Sequence, residues 1–150
     1  MTVPTAIDGD APVLARHGID IRAPLDTVWQ LHTDVNAWPT WQTDITAAHL
    51  DGAFEPGGSF AWTSSGLSVT STIYDVAPDR SRTLWGGTAE GITGIHEWTF
   101  RDMTQGVIVG TSESFAGEPV DRDPSPMQSI LDESLVSWLL RLKAKAEASF

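Results

Sequence analysis

The order of the periodic segments is the feature that most constrains the fold of this chain. Alternation of apolar and polar residues predicts six consecutive strands, at 45–53, 59–64, 67–75, 83–88, 94–101 and 107–115. Short turns separate them, and Glu55-Pro56-Gly57-Gly58 is the clearest turn signal among these. Short strands that follow one another through short turns form an antiparallel meander.

One long helix is predicted after the last strand. Its start is marked by Ser125 as N-cap, Pro126 as the first helical residue and Gln128, which would complete a capping box. Apolar residues then recur at spacings of three and four over about 20 residues. These residues are Leu131, Leu135, Trp138, Leu142 and Ala146. Such spacing gives the helix one apolar face that must pack against another element.

The region before the meander is predicted to contain a leader, one strand and two short helices. Residues 1–12 lack any periodic pattern and form a flexible leader, so that one domain spans 13–150. Residues 13–22 alternate as a strand, Pro24 begins a short helix as its first residue, and a second helical piece covers 35–41. Strands and helices segregated in this way indicate an α+β fold, with helices on one face of a twisted antiparallel sheet of about seven strands.

Composition excludes several classes of function. The 150 residues include 20 acidic and 9 basic ones, a net charge of −11, and nucleic-acid binding requires clustered Lys and Arg instead. The absence of Cys rules out disulfides and thiolate chemistry. The 19 uncharged residues at 56–74 are too rich in Ser, Thr and Gly to insert in a membrane. With no signal peptide in its sequence, the protein is predicted to be cytoplasmic.

The alternation of side chains between the two faces of a strand identifies a candidate pair of titratable residues. His96 shares one face of its strand with Trp98 and Phe100, and Glu113 lies on the apolar face of the next strand with Thr111. A short loop between the strands predicts that His96 lies opposite Glu113 and Trp98 opposite Thr111. An apolar site raises the pKa of a carboxyl group, while a nearby carboxylate favours imidazolium, so His96 and Glu113 are the candidate catalytic residues.

Two other interpretations of this pair stay open at the level of sequence. The two residues can form a buried polar pair that merely satisfies itself, and a one-residue bulge would break the register. The other histidines, His17, His32 and His49, are scattered without metal-ligand spacing, so no metal site and no cofactor are predicted. His32, near the end of the first helix, is expected to be a surface residue or one that compensates the helix dipole.

Aromatic residues on the same faces predict the wall of a ligand cavity, because such walls bind flat or greasy molecules while a few polar groups orient them. Packing alone is the alternative interpretation, and it is favoured for Trp38, Trp41 and Trp138. The candidate ligand-binding residues are Phe60, Trp62, Val69, Ser71, Ile73, Trp85, Trp98, Phe100, Thr111 and Leu135.

Several short motifs, in this order, resemble one known family. They are Ala23-Pro24 through Trp29, Trp38-Pro39-Thr40-Trp41, Pro56 through Trp62, Val76-Ala77-Pro78 before Leu84-Trp85, His96 through Phe100, Glu113 with Gly117, and Leu142-Lys143 with Glu147. Over residues 13–148 the chain resembles the polyketide cyclase/dehydrase branch of the START-like (SRPBCC) superfamily. That resemblance implies the helix-grip fold, in which the sheet wraps around the long C-terminal helix, and a deep, mostly apolar cavity.

The resemblance implies a hydrophobic or aromatic small molecule as the partner, with a homodimer as a further expectation. Members of the superfamily include aromatase/cyclases, lipid carriers and hormone receptors, so fold alone does not settle function. Three hypotheses follow. The first is an aldol-type cyclisation or dehydration that uses His96 and Glu113 without a cofactor. The second is a non-catalytic binding or carrier protein for a hydrophobic molecule or lipid. The third, ranked last, is a partner-binding domain like the heat-shock ATPase activators.

Overall fold

The protein folds into a seven-stranded antiparallel sheet and a long C-terminal helix. The computed structural model describes residues 3–149. The strands are β1 (Val13–Ile21), β2 (Ile45–Leu50), β3 (Ser59–Ser64), β4 (Leu67–Val76), β5 (Arg82–Ala89), β6 (Ile92–Met103) and β7 (Gly106–Ala116). The helices are α1 (Leu25–Thr33), a 3₁₀ helix (Val35–Thr40), α2 (Glu118–Arg122) and α3 (Pro124–Glu147). The predicted α+β fold is confirmed.

The sheet has the order β1-β7-β6-β5-β4-β3-β2. The six consecutive strands β2 to β7 form the predicted meander, and β1 pairs with β7 as an edge strand. Register shifts interrupt the pairing between β2 and β3 at Ile45/Ala47 and between β4 and β5 at Ile73/Asp75. No shift interrupts β6 and β7, which pair from Thr93↔Ala116 to Met103↔Gly106. The two longest strands therefore form a regular ladder inside the sheet, between β1 and β5.

Helix α3 packs its apolar stripe against the sheet as its spacing predicts. All five residues of the predicted stripe are buried, and they divide between two apolar clusters. The larger cluster includes Trp138, Leu142 and Ala146 with most of the aromatic residues, and the smaller one includes Leu131 and Leu135 with Val13 of β1. The helix is thereby attached to the sheet along its whole length.

The predicted capping box at the start of α3 is wrong. The helix begins at Pro124 after Asp123, one residue before the expected N-cap Ser125, and no side chain caps it. Proline at the first helical position needs no donor partner, which explains this start. The amide of Gln128 instead donates to Leu14 O (2.8 Å) and to the Asp132 carboxylate (3.1 Å), so it anchors the helix to β1.

Smaller differences concern the ends of elements. Pro24 is the N-cap of α1 rather than its first helical residue, and β2 ends at Leu50, before the predicted limit at 53. The short helix α2 was not predicted. It follows Gly117, which has a φ of 131°, a value that glycine adopts readily and other residues only with strain. A Cβ at this position would lie 2.1 Å from Gly91 O.

The segment before β1 makes two contacts with the sheet. Asp8 N donates to Ser114 Oγ (3.0 Å), and Arg82 Nη2 donates to Thr5 O (2.8 Å). Ser114 and Arg82 point to the outer face of the sheet, because the residues next to them in their strands point to the face that the helices cover. The segment therefore lies on the outer face of the sheet, and its flexibility stays a prediction.

Truncating Leu142 tests the packing of α3. Leu142 is fully buried, so Leu142→Ala should lower the free energy of unfolding by about 2–5 kcal/mol through lost burial and a residual cavity. Leu140→Ala in the same helix is the matched control, because that side chain is 54% exposed and the change should stay within about 0.5 kcal/mol. Denaturant unfolding measures both, and equal losses would contradict this packing.

Candidate functional site

The β6–β7 ladder brings His96 of β6 opposite Glu113 of β7, Trp98 opposite Thr111 and Phe100 opposite Val109. The predicted register is confirmed, and the bulge that would have broken it is absent from this pair of strands. Because the ladder is regular, the inward face alternates strictly with the outer one. His96, Trp98, Phe100 and Thr111 are buried; His96 and Trp98 contact Trp138 of α3, and Phe100 contacts Trp29 of α1.

A chain of three polar side chains crosses this face. His96 Nε2 lies 2.6 Å from Thr111 Oγ1, and His96 Nδ1 lies 3.5 Å from Glu113 Oε1. The side chain of His96 is 2% exposed and that of Glu113 is 15% exposed. The imidazole is thus hydrogen-bonded through Nε2 inside the protein and lies close to Glu113 through Nδ1, and the carboxyl group is the more exposed of the two side chains.

Glu113 lies over a glycine. A Cβ at Gly94 would be 3.3 Å from Glu113 Oε2 and 3.3 Å from the Phe115 ring. Any other residue at position 94 would therefore press on the carboxyl group. The glycine allows Glu113 to rest on the concave face of β6 rather than turn away from it.

Burial raises the pKa of the Glu113 carboxyl group to about 8. The cause is desolvation, which penalises the charged carboxylate. The direction agrees with the sequence expectation. At neutral pH the group is mainly a carboxylic acid, and so it is a proton donor.

The expectation that His96 becomes an imidazolium is wrong. Burial lowers its pKa well below the usual value, and the neighbouring His32 lowers it further. Desolvation outweighs the carboxyl group because that carboxyl group is itself neutral at this pH. The pair consists of a neutral imidazole and a carboxylic acid, rather than an ion pair.

A threonine hydroxyl can donate to an imidazole nitrogen or accept from it, so the contact of Thr111 Oγ1 with His96 Nε2 is compatible with either tautomer of the neutral ring. In the tautomer that has its proton on Nε2, Nδ1 is the basic nitrogen, and it lies 3.5 Å from the Glu113 carboxyl group.

Aromatic rings surround the His96 imidazole. Ring centroids lie 4.7 Å away for Trp85, 5.2 Å for Trp98 and 5.6 Å for Trp138. Trp138 also contacts Trp62 at 6.0 Å. These spacings fall in the range that aromatic pairs prefer. The rings supply the dry surroundings that shift both pKa values.

Packing and cavity-wall tryptophans are not separate groups in this structure. Trp38, expected to pack, lies 5.9 Å from Trp85 and 5.4 Å from Trp138, within the same ring cluster as the predicted wall. Trp138 belongs to that cluster as well, although it is not among the predicted ligand residues. The helical stripe that places it over the sheet was the signal that could have included it.

The other predicted ligand residues have different surroundings. Phe60, Ser71 and Ile73 are buried, whereas Trp62 and Val69 are only partly buried near the edge of the face. Trp62 Nε1 donates to Ser71 Oγ at 3.0 Å, so this hydroxyl already has a partner. Leu135 lies in the smaller cluster with Val13, not among the tryptophans.

The expected surface position of His32 is wrong. His32 is buried, its Nε2 lies 2.8 Å from Thr83 Oγ1, and its ring is 5.0 Å from that of Trp98. Burial lowers its pKa to about 3, so it is neutral. Its position at i+4 from the buried Val28 was the available signal, because residues four apart share one helix face.

Three concave pockets of about 580, 480 and 620 Å³ lie away from His96 and Glu113. The first lies between the start of α1 and the β6–β7 turn, and the second on the exposed side of α3. Phe100 is the predicted ligand residue that lines the third. The space beneath α3 is occupied by the aromatic rings, so a ligand cavity there stays a prediction.

Comparisons with known proteins agree with the fold. The chain has a TM-score of 0.81 to a hypothetical protein from Helicobacter pylori, at 17% identity, with 97% of this chain and 99% of that one covered. A START superfamily protein from Mycobacterium smegmatis has a TM-score of 0.77 at 13% identity, with 91% of this chain and 99% of that one covered. The Zhui aromatase/cyclase from a Streptomyces species has a TM-score of 0.77 at 16% identity, with 89% of this chain and 93% of that one covered. These similarities define a START-like, helix-grip fold.

A family model described as polyketide cyclase / dehydrase and lipid transport matches residues 13–147. The chain belongs to this family. A comparison with curated protein sequences finds no significant match. None of the helices within residues 3–149 combines the length and the apolar character that crossing a membrane requires.

Glu113→Gln tests the raised pKa through stability. The folded pKa of about 8 exceeds the ordinary value of 4.5, so between these pH values the folded state holds a proton that the unfolded state releases. The contribution of Glu113 to stability therefore falls as pH rises from about 4.5 to about 8. Glu113→Gln should gain stability relative to the wild type across that window, as measured by denaturant unfolding at several pH values. A difference that does not change with pH would contradict the shift.

Proposed function

We propose that the concave face of the sheet binds a hydrophobic or aromatic small molecule, and that His96 and Glu113 catalyse an aldol-type cyclisation or dehydration of it without a cofactor. One observation carries this proposal: the Glu113 carboxyl group and the His96 imidazole lie 3.5 Å apart beside the aromatic cluster, where burial raises the pKa of the first and lowers that of the second. An acid and a base that coexist at neutral pH are what such chemistry requires. Membership in the family of polyketide cyclases, dehydrases and lipid transport proteins supports it.

In a dehydration, Glu113 would give its proton to the departing hydroxyl of a β-hydroxy ketone as the C–O bond breaks, which releases water. The proton lost from the adjacent carbon would go to His96 Nδ1 and pass back to the Glu113 carboxylate, restoring the pair. In a cyclisation, the pair would remove a proton from carbon and supply one to the new alkoxide. Binding in a folded pose would provide the remaining acceleration, since holding reacting atoms at attack distance is worth many orders of magnitude.

The aldol of benzaldehyde and acetone is a suitable test substrate, because its dehydration gives a conjugated enone that absorbs in the ultraviolet. We expect the wild type to accelerate this loss of water. Glu113→Gln and His96→Asn should each slow it by about 10²–10⁴-fold, the usual contribution of a positioned acid or base. Ser112→Ala is the matched control, because Ser112 is next to Glu113 on the same strand but opposite Glu97 on the outer face.

The pH dependence of this reaction is a separate prediction. The acid form of Glu113 gives the proton, so the rate should be highest below pH 8 and fall as pH rises through the pKa of about 8. The Glu113→Gln variant should lose this dependence. A rate that rises through the same pH range would contradict the assignment of Glu113 as the acid.

A non-catalytic binding or carrier role is the second candidate. It is favoured by the hydrogen bond that engages His96 Nε2 with Thr111 within the protein. If Glu113→Gln and His96→Asn leave turnover unchanged while aromatic ligands still bind, the enzymatic proposal is overturned and the carrier role stands. A mass spectrum of the intact protein purified from its source under native conditions would report a retained ligand. The cytoplasmic location and the homodimer stay predictions from the sequence.

A further inference from the structure

Helix α3 carries a second apolar stripe on the side that faces away from the sheet. Within residues 3–149 six large apolar side chains are exposed, and three of them, Ile130, Val136 and Leu140, belong to this helix. They are 60%, 40% and 54% exposed. Single apolar residues scattered over a surface need no explanation, whereas several on one side of a helix mark an interaction surface. Val136 and Leu140 also line the concave surface of about 480 Å³ on this side of α3.

The spacing of this outer stripe suits packing against another helix. Residues at intervals of three, four, three and four share one face of a helix, and paired helices repeat in this way. Ile130, Glu133, Ser137, Leu140 and Ala144 follow these intervals. Ser137 and Ala144 are small, so the axis of a second helix can come close to α3 at these positions. Ile130 and Leu140 supply the apolar contacts of such a pair.

The segment before β2 fixes the polar edge of this face. Ser137 Oγ donates to Asp44 Oδ2 at 3.2 Å, and Arg141 Nη1 lies 2.9 Å from Asp44 Oδ1. Arg141 Nη1 also donates to Gln42 Oε1 at 2.7 Å. Among the described residues these contacts of Arg141 involve Nη1 alone, whereas a guanidinium group has five N–H donors. Arg141 is thus held in position with donors left for a carboxylate of a partner.

The distribution of charge along α3 limits which partner fits. Residues 124–135 include two acidic residues and no basic one, whereas residues 136–147 include three basic residues and one acidic residue. Two copies of this helix in antiparallel orientation place the acidic half of each against the basic half of the other. In parallel orientation like charges would lie together. Because the whole chain has a net charge of −11, most of its other surface repels a second copy.

Antiparallel pairing also matches the apolar residues. A twofold axis midway between Glu133 and Ser137 brings Ile130 of each copy beside Leu140 of the other, because a twofold interface uses the same patch on both subunits. Ser137 of one copy then lies opposite Glu133 of the other. Arg141 follows Ser137 by one helical turn, so its guanidinium group can reach the Glu133 carboxylate of the second copy.

We propose that the outer face of α3 is a dimer interface, on which α3 of a second copy packs in antiparallel orientation. The inner stripe of α3 stays against the sheet, so the dimer forms without a change of fold. The inference does not depend on the proposed function, because its residues lie on the opposite side of α3 from His96. It assigns a surface and an orientation to the predicted homodimer.

The expected dimer is weak, because one helix from each copy provides an interface at the small end of the range for specific complexes. We expect a dissociation constant of about 1–100 µM. At protomer concentrations well below this value dimerisation adds nothing to stability, and the unfolding comparison with Leu140→Ala applies there.

Sedimentation velocity over a range of protomer concentrations from about 1 to about 500 µM measures this association. The wild type should change from monomer to dimer within that range. Leu140→Asp should raise the dissociation constant at least about tenfold, because it places a carboxylate in the apolar contact. Leu67→Asp is the matched control, because Leu67 is 40% exposed but lies on β4, and this change should leave association unaltered. A wild type that stays monomeric, or a dimer that Leu140→Asp does not weaken, would overturn the proposal.

The absence of Cys from the chain permits a direct test of orientation. Ile130→Cys and Leu140→Cys are prepared as two separate variants and mixed with oxidised glutathione. In the antiparallel dimer the mixture should form a disulfide between one variant and the other, which intact-protein mass spectrometry identifies. Each variant alone should not cross-link, because its two thiols are about ten residues, or about 15 Å, apart along the helix axes. Disulfides that form within each variant alone, or none in the mixture, would overturn the antiparallel interface.

Discussion

The pairing of β6 with β7 is the constraint on which the candidate site depends. Its unbroken register places His96 opposite Glu113 and lets Thr111 hold the far nitrogen of the imidazole. A shift by one residue would turn every one of these side chains to the outer face, because successive residues of a strand point in opposite directions. The aromatic cluster and α3 then bury His96 and most of Glu113, and this burial sets the protonation of the pair.

Desolvation decides the chemistry of this pair more than attraction between its members. If Coulombic attraction had prevailed, His96 and Glu113 would form an imidazolium–carboxylate pair. Burial instead shifts the two pKa values in opposite directions, and each group is neutral near pH 7. Burying two charges costs more than their attraction returns unless further hydrogen bonds compensate. A neutral acid beside a neutral base is suited to exchanging protons with a carbonyl compound.

Much of the fold could be predicted because the dominant signals are local. Period-two alternation located the strands of the meander, and spacings of three and four gave the buried stripe of α3. The His96–Glu113 register followed from counting residues across one short loop. The start of α3 was wrong because Gln128 bonds to Leu14 across 114 positions of sequence, which no local capping pattern reveals.

The sequence by itself determined the order of elements, the placement of His96 and Glu113 on the inward face of the sheet, and the absence of thiol chemistry. The tertiary structure decided which rings surround the pair and that His32 is buried. It also decided that His96 is neutral. These properties depend on contacts between distant segments, such as α1 with β5 and α3 with the sheet. Desolvation is the sum of such contacts, so no single stretch of sequence contains it.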